Sequence, residues 1–137
     1  NLDVNIDTFK PVTSEYLDQH NIHEEKYRVL ESDFNKILKA KEVGIDIYCV
    51  GTTSLRTIET VYLTNNLSGK TDYFIFPDTK INIPDYLITN FHAPKSSLLS
   101  IVSAVYGKEW IDLYKYALDS DMKFLSFGDA VLFEVNE

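Results

Sequence analysis

The sequence predicts an α/β fold. Short β-branched and aromatic runs alternate with stretches of helical periodicity, and no repeat, low-complexity tract or Pro-rich linker breaks that alternation. The length points the same way: 137 residues, 45% of them apolar, can bury one core but not two ordinary ones, so residues 1–137 read as a single domain.

Taken in order, Leu2, Val4 and Ile6 alternate with Asp3, Asn5 and Asp7, the pattern of a half-buried strand. Over residues 32–43, Phe34, Ile37, Leu38 and Ala40 keep near-helical spacing, and Gly44 supplies the stop. Residues 45–50 form a short apolar run that suits a buried strand. Gly51, Thr52, Thr53 and Ser54 break it, and Leu55, Ile58, Val61 and Tyr62 resume at helical spacing. Residues 72–76 predict another strand, ended by Pro77, and residues 86–88 a shorter one. Residues 97–106 are apolar on nearly all faces, as in a buried helix with Ser96 or Ser97 as N-cap and Gly107 as terminator. Trp110, Leu113, Tyr114 and Ala117 give a second, amphipathic helix. Residues 124–127 and 130–133 read as extended pieces meeting at a turn through Gly128 and Asp129.

Composition narrows the function classes. The net charge of −8 argues against broad, nonspecific polyanion binding, which requires a positive surface; basic residues elsewhere in a longer protein would weaken that argument. The lone cysteine, Cys49, cannot form an internal disulfide and lies in an apolar run, which suits an inert buried thiol in a reducing compartment. No stretch approaches the length of a membrane span and no basic-then-apolar leader opens the chain, so the expectation is a cytoplasmic protein. The first residue is Asn1 rather than methionine, which reads as a fragment or a processed chain.

Several segments could carry chemistry. Residues 50–57 place backbone N–H groups and the hydroxyls of Thr52, Thr53 and Ser54 at a helix start, where an anion or polar ligand is favoured. Arg56 there opposes the helix dipole unless it meets an anion or Glu59; an ordinary hydroxyl-capped helix with an Arg56–Glu59 surface pair explains the pattern equally well. Gly69-Lys70-Thr71 lacks the first glycine of a phosphate-binding loop and precedes a strand, and no Gly-x-Gly-x-x-Gly occurs. His20, His23, Glu24 and Glu25 include groups able to move protons. The same residues suit an exposed polar loop, and a zinc site with Cys49 or His92 is disfavoured because neither paired cysteines nor a His-Glu-x-x-His helix accompanies them.

The polar, Pro-interrupted loop from Thr89 through Ser96 leads into the buried helix. Asn90 could read amide-like or base edges, Phe91 could stack on a purine, and Lys95 near the helix start would meet a carboxylate or phosphate. The alternatives are a turn-bracing Asn90, a core Phe91 and a solvated Lys95. Asp129 falls at a turn, where a self-bonded aspartate is the simpler explanation.

Read together, these segments resemble the C-terminal part of the S-adenosylmethionine:tRNA ribosyltransferase-isomerases of queuosine biosynthesis. The strongest match is Val50-Gly51-Thr52-Thr53-Ser54-Leu55-Arg56-Thr57-Ile58-Glu59, followed by the run from Leu87 to Leu99 that contains Thr89-Asn90-Phe91-His92-Ala93-Pro94-Lys95-Ser96. Phe124-Leu125-Ser126-Phe127-Gly128-Asp129-Ala130 is similar too, as are, more weakly, Thr8-Phe9-Lys10-Pro11-Val12 and His20-Asn21-Ile22-His23-Glu24-Glu25-Lys26-Tyr27. The chain departs from the family where glycines usually precede Thr8, having Asn5 and Asp7, and where Asp78-Thr79 follows Pro77 in place of Gly-Tyr; the second change puts any ligand contact there in doubt.

The resemblance implies a mixed sheet or partial barrel with flanking helices, the C-terminal portion of a larger domain whose N-terminal part, and a separate β-barrel domain, lie outside this chain. It implies transfer and isomerisation of the ribosyl moiety of S-adenosylmethionine onto 7-aminomethyl-7-deazaguanine at the tRNA wobble position, giving epoxyqueuosine-tRNA without a metal. On that basis His23 and His92 are the proton-transfer candidates, with Glu25 and Asp129 orienting them or holding substrate. Gly51, Thr52, Thr53, Ser54, Arg56, Asn90, Phe91, Lys95 and Ser96 would surround S-adenosylmethionine. A noncatalytic module that binds a nucleoside or RNA loop is the competing expectation for this chain on its own.

Overall fold

The computed structural model describes residues 1–3 and 24–136. Along them run β1 (Leu2–Asp3), β2 (Glu25–Arg28), α1 (Glu31–Glu42), β3 (Tyr48–Val50), α2 (Thr52–Thr64), β4 (Ser68–Thr71), β5 (Tyr86–Asn90), α3 (Leu98–Tyr106), α4 (Trp110–Asp119) and β6 (Ala130–Glu134). The α/β expectation is met by two small three-stranded sheets with helices packed against them. One is antiparallel, in the order β1-β2-β4. The other is mixed, in the order β3-β5-β6, with β3 parallel and β6 antiparallel to β5. Beyond Asp3, the first predicted strand lies outside the described residues.

Helix α2 joins the two layers because its apolar residues point two ways. Leu55, in its first half, belongs to the larger core with Leu87 of β5, Phe133 of β6 and Ile101, Val102 and Val105 of α3. Val61, in its second half, closes a smaller cluster with Tyr27 of β2 and Phe34 of α1. The helices predicted over 32–43, after Gly51, over 97–106 and from Trp110 all form within a residue or two of expectation. Helix α1 carries Glu31 and Asp33 in its first turn and Lys39 and Lys41 in its last, matching the dipole.

Three expectations need correction. Residues 72–76 are not a strand; the pairing strand is the preceding β4, whose Thr71 faces Glu25. The apolar run at Tyr73–Phe76 looked like a ladder strand, but side chains take its backbone groups: Tyr73 N–H donates to Thr71 Oγ1, Arg56 Nε to the Tyr73 carbonyl, and Ser100 Oγ to the Ile75 carbonyl. Residues Leu125–Phe127 form a 3-10 turn rather than an extended piece, entered through Leu125 at φ 63°. Gly128 follows because the Lys123 carbonyl crowds it: a Cβ there would run into that oxygen. Finally, Glu25 is not part of a solvated loop, since it opens β2 and is 1% exposed, whereas Glu24 before it is exposed.

Candidate functional site at the carboxyl ends of β3 and β5

The register that pairs Val50 with Ile88 brings the ends of two adjacent parallel strands to the same edge of the mixed sheet. From the end of β3 the chain enters residues 51–56, and from the end of β5 it enters residues 91–96. A crevice beyond the carboxyl ends of neighbouring parallel strands is where open α/β sheets hold ligands. Gly51 makes the first turn possible: its φ of 85° and ψ of 146° suit glycine, its N–H donates to the Ile88 carbonyl at 2.8 Å, and its carbonyl starts α2 by accepting from Leu55. No side chain caps this helix start.

Arg56 is the centre of the first segment. Its Nη1 donates to Glu25 Oε2 at 2.9 Å and its Nε to the Tyr73 carbonyl at 3.0 Å, with the ion pair 3% and 1% exposed. Burial pulls the guanidinium pKa below its usual value, opposed by Glu25 and Asp72. Thr53 Oγ1 makes a long contact with Glu25 Oε1 at 3.5 Å. Arg56 therefore ties the first two turns of α2 to β2 and to the 72–76 segment, and the Arg56–Glu59 surface pair does not form. Glu59, wholly buried, accepts instead from the Asn82 and Ile83 backbone N–H groups and from Asn82 Nδ2. Among the described residues, Arg56 Nη2 and Thr57 Oγ1 are buried without a hydrogen-bond partner. Thr52 is buried, while Thr53 and Ser54 are half-exposed.

The second segment is built on the core. The Phe91 ring is 2% exposed, edge-on to Tyr114 and tilted against Phe124, so it has no face left for a base and its stacking role gives way to packing. Next to it, His92 is 8% exposed. Its Nε2 lies 3.1 Å from Thr89 Oγ1 and its backbone N–H donates to the Tyr114 hydroxyl at 3.1 Å. Burial pushes the His92 pKa down to about 4, which keeps the imidazole neutral at pH 7. Lys95 is exposed in left-handed backbone, φ 58°, and Ser96 Oγ accepts from the Leu98 N–H at the start of α3. Ser96, rather than the N-cap residue Ser97, supplies the side-chain bond there.

Asp129 reaches this end of the sheet through β6. Asn90 Nδ2 lies 3.4 Å from the Asp129 carbonyl, while the Asp129 carboxylate accepts from the Lys123 N–H at 2.8 Å, the turn-bracing arrangement. The structure thus brings Asn90, Phe91, His92 and Asp129 together at the β5–β6 end, and Glu25 with Thr53 and Arg56 beside α2. His23 and His20 lie outside the described residues. Sequence reading missed Thr89 and Tyr114, the hydroxyls that hold His92; Thr89 sits three residues from it inside the same motif, whereas Tyr114 carried only a helical-spacing signal. Among the described residues no group of three or more His, Cys, Asp or Glu converges on a common point, and burial raises the Cys49 thiol pKa to about 12. No described helix is long and apolar enough to cross a membrane.

Comparison with known proteins agrees with the motif resemblance. The family model described as queuosine biosynthesis protein matches residues 1–133. The chain is 46% identical over 135 residues to the S-adenosylmethionine:tRNA ribosyltransferase-isomerase of Acetivibrio thermocellus, covering 95% of this chain and 40% of that protein. The Finegoldia magna protein of the same name is 46% identical over 136 residues, covering 95% and 39%. The crystal structure of S-adenosylmethionine tRNA ribosyltransferase from Thermotoga maritima superposes with a TM-score of 0.73 at 38% identity, covering 80% of this chain and 40% of that one. This chain spans about 40% of the length of the curated relatives it matches. By the extent of the family match, the chain belongs to the queuosine biosynthesis protein family.

Proposed function

We propose that this chain is the C-terminal part of an S-adenosylmethionine:tRNA ribosyltransferase-isomerase. The substrates of that enzyme are S-adenosylmethionine and a tRNA carrying 7-aminomethyl-7-deazaguanine at the wobble position. The ribosyl moiety is transferred to the aminomethyl group and isomerised to the epoxy-cyclopentane of epoxyqueuosine, and adenine and methionine leave. The single observation that supports this most is the meeting of residues 51–56 and 90–96 beyond the carboxyl ends of adjacent parallel strands, in a family named for queuosine biosynthesis.

In this reading Gly51, Thr52, Thr53 and Ser54 offer backbone and hydroxyl groups to S-adenosylmethionine, and Asn90, Lys95 and Ser96 close the other side, with Lys95 free to meet its carboxylate. Arg56 holds the first segment in place, with Nη2 as its remaining donor. His92 is one of the proton-transfer groups: at pH 7 its imidazole is neutral, with one ring nitrogen free of a proton, although the burial that lowers its pKa to about 4 also makes it a weak base. His23 is the second proton-transfer group. Asp129 and Glu25 orient these groups or hold the ammonium and hydroxyls of the substrate. Adenine departure and the charged intermediates call for exclusion of water, which a site completed by the family's N-terminal part would provide. No metal enters this scheme, and the enzyme acts in the cytoplasm.

The test is single-turnover release of adenine from S-adenosylmethionine with deazaguanine-modified tRNA, by this chain and by a version extended to its relatives' length. Release by the extended protein alone is expected, and His92→Asn should abolish it; unchanged turnover in that variant removes the proton-transfer role. The chain's 40% share of its relatives favours a second reading for the isolated polypeptide, a module that binds nucleoside or RNA without turnover. Ligand binding with no release by either form would select it.

A further inference from the structure

Among the described residues, four other than glycine take left-handed backbone: Asn65, Lys95, Asp121 and Leu125. Asn65 closes α2 and Asp121 lies just past the end of α4, and their short polar side chains tolerate that region. Lys95 and Leu125 have no such tolerance, and both stand near the carboxyl end of β5. Strain held by residues ill suited to it gathers at ligand sites, where the fold fixes a side chain in one place. Leu125 is the clearer case. Its φ is 63°, and three bonds hold the turn that imposes it. Its own N–H donates to the Phe91 carbonyl, the Lys123 N–H donates to the Asp129 carboxylate, and the Asp129 N–H donates to the Lys123 carbonyl, each at 2.8 Å. A glycine would take the same backbone at no steric cost. Packing within the described residues does not account for the leucine, which is 50% exposed.

The bond to Phe91 sets Leu125 beside the residue that separates Asn90 from His92. Asn90 is exposed there, so the end of β5 offers solvent an amide and an isobutyl group together. An apolar group next to an amide suits a fused-ring base, which presents an apolar face and a polar edge. Phe91 cannot supply the platform for such a ring, because Tyr114 and Phe124 already occupy its faces and edges. We infer that Leu125 is a substrate-contacting residue: its side chain packs on the face of a fused-ring base while Asn90 meets the edge. The inference rests on the reading of residues 90–96 as one wall of the substrate site. It adds to that wall a residue of the α4–β6 connection, and it names the base as the part of the substrate held there. Two substrates of the proposed reaction carry such a ring, S-adenosylmethionine as adenine and the tRNA as deazaguanine, and the experiment separates them.

The experiment uses the protein extended to its relatives' length. Leu125→Ala removes most of the side chain and keeps the left-handed strain, whereas Leu125→Gly removes both. Dissociation constants are measured by titration calorimetry for S-adenosylmethionine and, separately, for deazaguanine-modified tRNA, so no turnover is needed. Both variants should weaken one of the two ligands about tenfold and leave the other unchanged, and the affected ligand identifies the ring. Unchanged affinity for both overturns the proposal, as does equal weakening of both, which reports a disturbed loop. Melting temperature tests what else could offset the strain: Leu125→Gly should melt no lower than the parent, in the 137-residue chain and in the extended protein alike. A drop in the extended protein alone means that neighbouring polypeptide covers the side chain, a drop in both means that the chain's own core does, and either overturns the proposal. A parent that binds a ligand but releases no adenine removes the enzymatic reading alone, because the affinities of the variants still decide the role of Leu125. A parent that turns over, with affinities unchanged in both variants, removes Leu125 alone, and one that binds neither ligand removes both.

Discussion

Beside α2 the chain buries charge and pairs it, whereas at the end of β5 it buries an imidazole and leaves it neutral. The Arg56–Glu25 bridge and the Glu59 carboxylate are held in the interior by hydrogen bonds: a carbonyl and a carboxylate accept from the guanidinium, and two backbone N–H groups and an amide donate to Glu59. Among the described residues the His92 ring has the Thr89 hydroxyl as its hydrogen-bond partner, and desolvation decides its state. The same property, burial of a titratable group, makes one side of the candidate site a rigid brace and keeps the imidazole on the other side uncharged.

Breaking the brace should produce the largest effect. Arg56→Ala removes the guanidinium from a buried ion pair, and loss of one partner of such a pair costs about 3–5 kcal/mol. Urea denaturation of the chain should show that loss, and Glu25→Ala should match it. The double variant Arg56→Met with Glu25→Leu should recover much of the stability, because two apolar groups leave no charge unpaired. If the single variants cost no more than a surface change, the pair is not buried in solution.

The neutral side should show itself through pH. The unfolded His92 takes up a proton near 6.5 and the folded one only near 4, so its neutral form is the one folding favours. The stability it contributes is fully present above about pH 6.5 and is lost as the pH falls toward 4, by roughly 3 kcal/mol across that window. Subtracting the pH–stability curve of His92→Asn from that of the parent isolates this residue from His20 and His23. A flat difference between pH 4 and 6.5 would mean that the imidazole is hydrated or paired with an acid.

These two centres differ equally in how far the sequence disclosed them. The positions of α1, α2, α3 and α4 were legible because amphipathic spacing and terminal glycines are local signals. So was the strand, glycine and helix order at Gly51. The partner of Arg56 was not, since Glu25 lies thirty-one residues upstream while Glu59 offered the more obvious helical spacing. Residues 72–76 misled for a related reason: β propensity registers an apolar run, but whether its carbonyls meet a neighbouring strand or the side chains of Arg56 and Ser100 is settled by tertiary contact. The buried state of His92 was hidden likewise, because Tyr114 is brought to it by α4 from twenty-two residues away.

A smaller effect separates the two buried carboxylates beside α2. Glu59→Gln keeps the size of the side chain but removes the charge and turns an NH2 toward groups that are themselves donors, the Asn82 and Ile83 amides. The expected cost is about 2 kcal/mol, within the range for a hydrogen bond to a charged group, and it should fall short of Arg56→Ala because no opposite charge is left stranded. Thermal unfolding at pH 7 would rank the two; a larger loss from Glu59→Gln would make the Asn82 anchor, rather than the ion pair, the stronger fastening of α2.

Gly51→Ala says most about the turn itself. An added Cβ would meet nothing within 4 Å, so packing contributes no penalty. What remains is backbone strain at φ 85° and ψ 146°, a region that side chains avoid, worth about 1–3 kcal/mol. If the alanine variant loses about that much stability while amide exchange at Gly51 and Leu55 stays slow, the turn is held by the Ile88 carbonyl and the Arg56 brace and bears the strain. If stability is kept and those amides exchange quickly, the turn has relaxed out of register. The helix start would then no longer face the end of β5, and the candidate site would lose one of its two walls.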